Sequence, residues 1–459
     1  MRKNNEIGQI VFFLIGDSPQ LGKIRKESLF QIRRKSMGSA KDKQINVNLY
    51  TRYKMLSWDL LFYYAIIFLF FTQTKGISAA DVLLAESFYP IFKIIFLVPA
   101  TILINSQGKR KSLIIGNSFL FLAILVYILG FNFVFIMIGE LLLAIGFIIK
   151  GICESNMIYD SLEKDEKRGA KFAKIEGKGT SYYYYIDAIS SVISGFLFSI
   201  NGYIPMILCL AGTAVSIYLS TKFKDIDEKQ KINKDMVYKE CKDLFNSFKL
   251  FGKSPRLKSL IFFGALVSAI ILSLTMLRSS IMQDIGIPSE YFGIIFAVLG
   301  LISGIAAKNE NRFHKKYRNK TLAHLAIPIV FSCVFLGVIC NANIGYEVNG
   351  VTVLIVFLVQ YIAKGPFYPL IKQYMNNFTT VSLRTKISSS FNLLENILRF
   401  LITFLASSLL RVTNTATTFT ILGCILTIVV VLMLDNMRKK VGLKPDQYSK
   451  RDIEILELK

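Results

Sequence analysis

The chain has 459 residues, of which 53% are apolar, 13% aromatic and only 19% charged, with a mean hydropathy of +0.47. A soluble fold lacks the interior to hide so much apolar surface, whereas a bilayer is itself an apolar solvent; composition therefore excludes an ordinary soluble domain. The 55 Lys and Arg against 31 Asp and Glu give a net charge of +24, which points to nucleic acid unless the positions of the charges say otherwise.

In chain order, residues 1–55 read as a basic cytoplasmic extension. QIVFFLIG (9–16) is too short to span a bilayer, and KIRKESLFQIRRK (23–35) reads as an interfacial segment. No small-residue cleavage site marks a signal peptide. Met37 is an alternative start, which would make residues 1–36 an artefact of gene-start assignment.

Apolar stretches of about 20 residues then recur, each long enough to cross as a helix with its backbone satisfied internally. Twelve are expected, at 56–74, 82–104, 112–130, 132–154, 180–200, 203–221, 259–282, 290–307, 321–340, 351–373, 388–411 and 415–434. This predicts an all-α polytopic membrane protein: a six-helix bundle over 56–221, a cytoplasmic linker over 222–258, a second six-helix bundle over 259–434 and a tail over 435–459. In the linker Val237, Cys241, Leu244, Phe245 and Phe248 recur at helical spacing, which predicts an amphipathic helix on the membrane surface.

Cations accumulate in short cytoplasmic loops. With both termini inside, 47 of the 55 fall in cytoplasmic segments, while the outer loops receive only Lys75, with Arg411 at an outer margin. The net charge therefore records topology in a bacterial cytoplasmic membrane, and no nucleic-acid partner is expected. The six Cys include no CxxC pair, and His314 and His324 lack clustered partners, so no metal site is expected. No GxxxxGK[ST] loop for ATP is present and no cofactor is expected, which leaves an ion gradient as the energy source.

The two halves echo each other. GIS-AAD (76–81) leads into a helix ending in GKRKSL (108–113), and GIPSEYFG (286–293) into one ending at KNENRFHKKYRNKTL (308–322). With the 6+6 plan, the linker and VPATILINSQGKRKSLIIG (98–116), the chain over about residues 50–440 resembles the major facilitator superfamily. Gly108, Lys109 and Arg110 match the end of that family's signature between its second and third helices; Thr101 replaces its earlier Gly and Asn105 its Asp. The resemblance implies two pseudo-symmetric bundles, a cytoplasmic gate at these residues, and alternating access to a small-molecule substrate by a monomer. NMIYDSL (156–162) followed by KIEGKG (174–179) is similar to the fourth-to-fifth loop of bacterial members. The glycine series of antiporters is not met, since only Gly195 stands in ISSVISGFLF.

An ionised side chain at mid-membrane costs at least about 2.5–3.5 kcal/mol on insertion scales, so those inside the spans are functional candidates by default. Glu86 and Lys93, seven residues apart on the second helix, share a face and could form a switchable pair. Glu140 in the fourth helix and Asp187 in the fifth stand alone; a carboxylate that alternates between protonated and ionised could couple proton flow to a conformational cycle. Glu86, Glu140 and Asp187 are the proton-coupling candidates. Lys93, Arg278 and Lys364 are candidates for charge balance or for anionic substrate groups, Lys364 preceding the helix break expected at Gly365-Pro366. Lys150 with Glu154, and Glu395 with Arg399, are spaced i,i+4 and read as structural pairs; Asp59, near the inner end of the first helix where hydration is partial, also reads as structural.

The resulting expectation is a secondary transporter, by family resemblance a proton-coupled exporter of a small amphipathic compound or drug. An ion-coupled importer of a small metabolite stays open, as does a non-transporting sensor or a polytopic lipid-modifying enzyme. The last would need a clustered nucleophile or metal set, which the sequence lacks.

Overall fold

The computed structural model describes residues 40–163, 165–226, 238, 242, 254–317, 320–342, 344–378, 381–441 and 445–447. The interfacial segment at 23–35, Met37 and the linker series from Val237 to Phe248 lie outside the described residues.

The first span departs from a plain helix. Helix α1 (40–57) stops before Trp58, the chain runs irregularly to Ile66, and α2 (Ile67–Leu69) passes into a π turn at Phe70–Thr74. No Gly or Pro marks this break. Asp59 makes it: its Oδ1 accepts the Leu60 N–H (2.9 Å) and the Tyr64 hydroxyl (2.8 Å), local bonds that compete with the helical ladder. Phe62 then takes a φ of +62°, a left-handed conformation costing an L residue roughly 1–2 kcal/mol.

The remaining helices are α3 (Ala79–Gln107), α4 (Lys109–Leu129), α5 (Phe133–Ser161), α6 (Arg168–Ile200), α7 (Tyr203–Lys222), α8 (Pro255–Asp284), α9 (Ser289–Lys308), the short α10 (Glu310–Tyr317), α11 (Thr321–Asn341), α12 (Tyr346–Asn377), α13 (Val381–Leu410) and α14 (Thr415–Val441). Among the described residues eleven helices are long and apolar enough to cross a membrane; with the broken α1–α2 segment they form the expected all-helical polytopic fold. Side chains set several starts. Ser78 caps α3 through the Asp81 N–H (3.1 Å), Asn132 caps α5 through Val134 (3.1 Å), and Ser254 precedes Pro255 at the first position of α8. Pro90 and Pro99 in α3, and Pro366 and Pro369 in α12, are carried inside unbroken helices, so the break expected at Gly365-Pro366 does not occur.

In the first half α5 packs on α3 and α4, and α4 on α7; in the second half α8 packs on α13 and α14, and α11 on α12 and α14. The halves meet where α6 lies against α9 and α3 against α13. These contacts gather at one end of the molecule, away from the basic turns that hold Lys109, Arg110 and Arg168. There Asp81 pairs with Arg411 (2.7 Å), Ser407 Oγ donates to the Ala80 carbonyl (2.8 Å), and Thr72 Oγ1 lies 2.7 Å from Gln283 Oε1.

Glycine permits the closest approach. A Cβ added at Gly293 would sit 1.9 Å from the Ser191 carbonyl oxygen, and one at Gly195 2.7 Å from that of Glu290, whereas Gly300 and Gly304 meet nothing within 4 Å. Backbone cannot yield as a flexible side chain does. Gly293→Ala is therefore expected to lose about 1–3 kcal/mol of stability, read as a lower unfolding temperature in detergent, while Gly300→Ala leaves it unchanged.

Candidate transport site

At the centre of the α3–α13 contact, the Glu86 carboxylate pairs with the Arg399 guanidinium across the two halves. Arg399 also lies over the Tyr89 ring (5.4 Å to the centroid), and Phe88 meets Phe400 edge-on at 5.8 Å. Two sequence expectations are corrected here. Glu86 does not pair with Lys93, whose ammonium lies over the Tyr89 ring at 5.4 Å, and Arg399 does not pair with Glu395, which accepts from Ser268 Oγ (2.8 Å). Spacings of seven and four residues permit the two intrahelical pairs, but Glu86 and Arg399 each take their counter-charge from the opposite half.

Glu140 is buried in α5, where it accepts the Tyr127 hydroxyl at 2.7 Å and lies within electrostatic reach of Glu86. Asp187 is held by Tyr183 (3.3 Å) beside the broken first span. The three proton-coupling candidates thus occupy different surroundings: a cross-half ion pair, a buried hydrogen bond from a tyrosine hydroxyl and a tyrosine-lined margin.

The second half contributes cations. Arg278 is 1% exposed in α8 and donates through Nε to Gln360 Oε1 (2.9 Å); Gln360 in turn donates to Ser332 Oγ (3.1 Å). The Tyr361 ring faces both Arg278 (5.3 Å) and Lys364 (4.9 Å). Among the described residues neither cation has a carboxylate partner. Two like charges around one ring, with donors to spare, have the chemistry to pair with an anionic group.

Toward the basic face lies an ion-pair lattice. Lys54 reaches Glu154 (3.4 Å) and Glu176 (2.6 Å), Lys150 reaches Glu154 (3.2 Å) and donates to the Trp58 carbonyl (2.7 Å), and the Tyr50 hydroxyl bonds to Glu176. The Lys150–Glu154 pair is legible as an i,i+4 spacing. Lys54 and Glu176 are not, because the sequence places one in the extension and the other in a loop.

The turn after α3 is built by Gly108, with φ +82°, a region that favours glycine. Lys109 pairs with Asp160 of α5 (2.9 Å), Asp160 with Arg168 of α6 (3.2 Å), and Arg110 donates to the Thr221 carbonyl of α7 (2.8 Å). Asn105 stands half-buried in the last turn of α3. Gly108→Ala is expected to cost about 1–3 kcal/mol and to show first as protease sensitivity at this turn. No group of three or more His, Cys, Asp or Glu suited to a metal occurs among the described residues.

Twelve membrane segments in two packed halves, with charges buried between them, define a polytopic transporter-type fold. The sequence profile of the Major Facilitator Superfamily matches residues 55–403, and the chain belongs to that family of membrane transporters, which are not enzymes. Its fold is similar to the crystal structure of the nucleoside transporter NupG, with a TM-score of 0.64 at 12% identity over 88% of this chain and 100% of that one. A POT family transporter in complex with 5-aminolevulinic acid matches at 0.62 and 13% identity, over 88% and 96%. A bacterial homolog of the human lysosomal transporter Spinster, in an inward-facing conformation, matches at 0.58 and 13%, over 89% and 99%. No curated protein matches by sequence.

Proposed function

We propose that this transporter moves a small amphipathic organic solute bearing an anionic group, driven by protons, through alternating access about the Glu86–Arg399 contact. The observation that carries the reading is that cross-half ion pair, accompanied in the second half by two cations without carboxylate partners among the described residues, Arg278 and Lys364, and in the first by a buried carboxylate, Glu140. Protonating Glu86 removes the attraction that ties α3 to α13, so a proton arriving there loosens the contact between the halves. Glu140, within electrostatic reach, is the natural next holder of that proton, and Asp187 a third. Lys93 balances charge beside Tyr89.

With the basic turns on the cytoplasmic side of a bacterial inner membrane, the contacts at the opposite end close the outer side. Lys109, Arg110, Gly108 and Asn105 then belong to the inner gate. Export follows the family resemblance. Uptake is the second reading, favoured by Gly195: the glycine series of antiporters is absent around it, and Gly195 itself is used in packing against Glu290 of α9. The structural similarity to a nucleoside transporter and to a POT family transporter in complex with 5-aminolevulinic acid is compatible with either direction.

The test is flux in proteoliposomes carrying a pH-sensitive dye. A panel of organic anions should produce solute-dependent proton movement under an imposed pH gradient, and neutral isosteres of the active compound should not. Equal movement with anions and neutral isosteres would remove the anion-selective reading.

A further inference from the structure

The break in the first span borders a cavity of about 10 Å³, lined by Ser57, Asp59, Asn117, Thr213, Ser216 and apolar neighbours. A void of about 10–15 Å³ holds one water-sized occupant. Its polar lining is oxygen-rich, and most of those oxygens have lone pairs to offer. Ser57 Oγ donates its proton to the Tyr53 carbonyl (2.7 Å), Thr213 Oγ1 to Leu210 (2.7 Å) and Ser216 Oγ to Gly212 (3.0 Å), which leaves each hydroxyl an acceptor toward the cavity. Asp59 uses Oδ1 for Leu60 and Tyr64, and Oδ2 has no protein donor among the described residues.

Asn117 supplies the independent observation. It is 1% exposed, and its Nδ2 donates to the Tyr53 hydroxyl (2.9 Å) and toward Ser220 Oγ (3.4 Å), yet its buried Oδ1 has no hydrogen-bond partner. An unsatisfied buried oxygen costs about 1–3 kcal/mol, so a side chain held in this way by two other bonds calls for an occupant that accepts its lone pair.

Charge selects the occupant. The groups around the break are Lys54 of α1, Lys93 of α3, Lys150 of α5, and the carboxylates Asp59, Glu154, Glu176 and Asp187. Three cations against four carboxylates leave one negative charge when all are ionised. Breaks in membrane helices expose backbone carbonyls that can coordinate ions in a cavity.

From these we infer that the cavity at the α1–α2 break binds a monovalent metal cation of the size of Na+, on Asp59, Asn117 Oδ1 and the hydroxyls of Ser57, Thr213 and Ser216. The site is separate from the Glu86–Arg399 contact, and its occupancy requires no substrate. It adds a cation to the proton-coupled reading above and stands or falls without it.

Trp58, the single tryptophan, adjoins Asp59 and is a built-in reporter. The full-length protein in detergent is titrated with NaCl against choline chloride at constant ionic strength and pH, and Trp58 emission is followed. A saturable change with Na+ and none with choline is expected. Thr213→Val, which keeps shape and loses one oxygen, should weaken it at least about tenfold, and Asp59→Asn should abolish it. Unchanged elution and unfolding temperature in choline show that both variants are folded; should Asp59→Asn fail there, Ser216→Ala replaces it with the same expected weakening. The inference is overturned by equal responses to Na+ and choline, by variants that respond like the parent, or by a signal that follows pH alone, which would assign the missing charge to a proton. Because no solute is present, these outcomes are independent of whether the transport assay succeeds.

Discussion

Arg399→Gln is expected to cost the fold about 3 kcal/mol and to abolish proton-coupled flux, because it leaves the Glu86 carboxylate, whose side chain is only 15% exposed, without its counter-charge. Glu86→Gln should lower stability in the same way. The double variant, Glu86→Gln with Arg399→Gln, is expected to recover most of the stability and none of the coupling, since two neutral amides satisfy each other but carry no proton. Unfolding temperature in detergent and dye-reported flux separate the two effects. Protonating Glu86 leaves Arg399 without its ionised partner across the two halves. The end of the molecule at Asp81–Arg411 should therefore open more readily under acid, and spin labels placed across it would report larger separations at low pH. Separations that do not change with pH would remove Glu86 from the coupling step.

The second large effect is expected at Arg278. Its Nε is committed to Gln360, and the rest of its planar fork has no carboxylate partner among the described residues. Arg278→Gln should weaken binding of an anionic solute by about 30-fold or more, equivalent to roughly 2 kcal/mol, while proton leak in the absence of solute stays unchanged. Arg278→Lys keeps charge and loses the planar fork, so an intermediate affinity is expected. Lys364→Gln, which removes the ammonium that lies 4.9 Å from the centroid of the same Tyr361 ring, should have a smaller effect of the same kind. Solute affinity measured by competition in detergent checks all three, and equal binding of anionic and neutral solutes by every variant would remove the pair from the site.

The helices were legible because apolar runs of bilayer length have few other uses, and the cation asymmetry ordered them. The first-span break was not, because no Gly or Pro announces it; a single Asp side chain competes for backbone bonds there, at a position that reads from sequence only as a partly hydrated structural carboxylate. Pairing along one helix was legible for Lys150 and Glu154, where i,i+4 geometry fixes the distance. Pairing between helices was not. Glu86 and Arg399 are 313 residues apart, and nothing local distinguishes that partnership from Glu86 with Lys93 or Glu395 with Arg399. Gln360 escaped notice because a neutral amide costs little in a span, although it positions Arg278. Lys54 escaped because the expected span began at residue 56, whereas α1 carries it into the interior, 2% exposed. Gly108 was legible from the family signature, and the fold gives the reason: a positive φ at the tightest turn on the basic face.

The most direct test of the central claim is solute-dependent proton flux in proteoliposomes that carry either the wild-type chain or Glu86→Gln, under the same imposed pH gradient and with the same organic anion. The account predicts dye-reported proton movement that appears only with solute in the wild type and is absent in Glu86→Gln, while solute exchange at equal pH persists in both. Proton movement that is identical in the two proteins, or independent of solute, would contradict it.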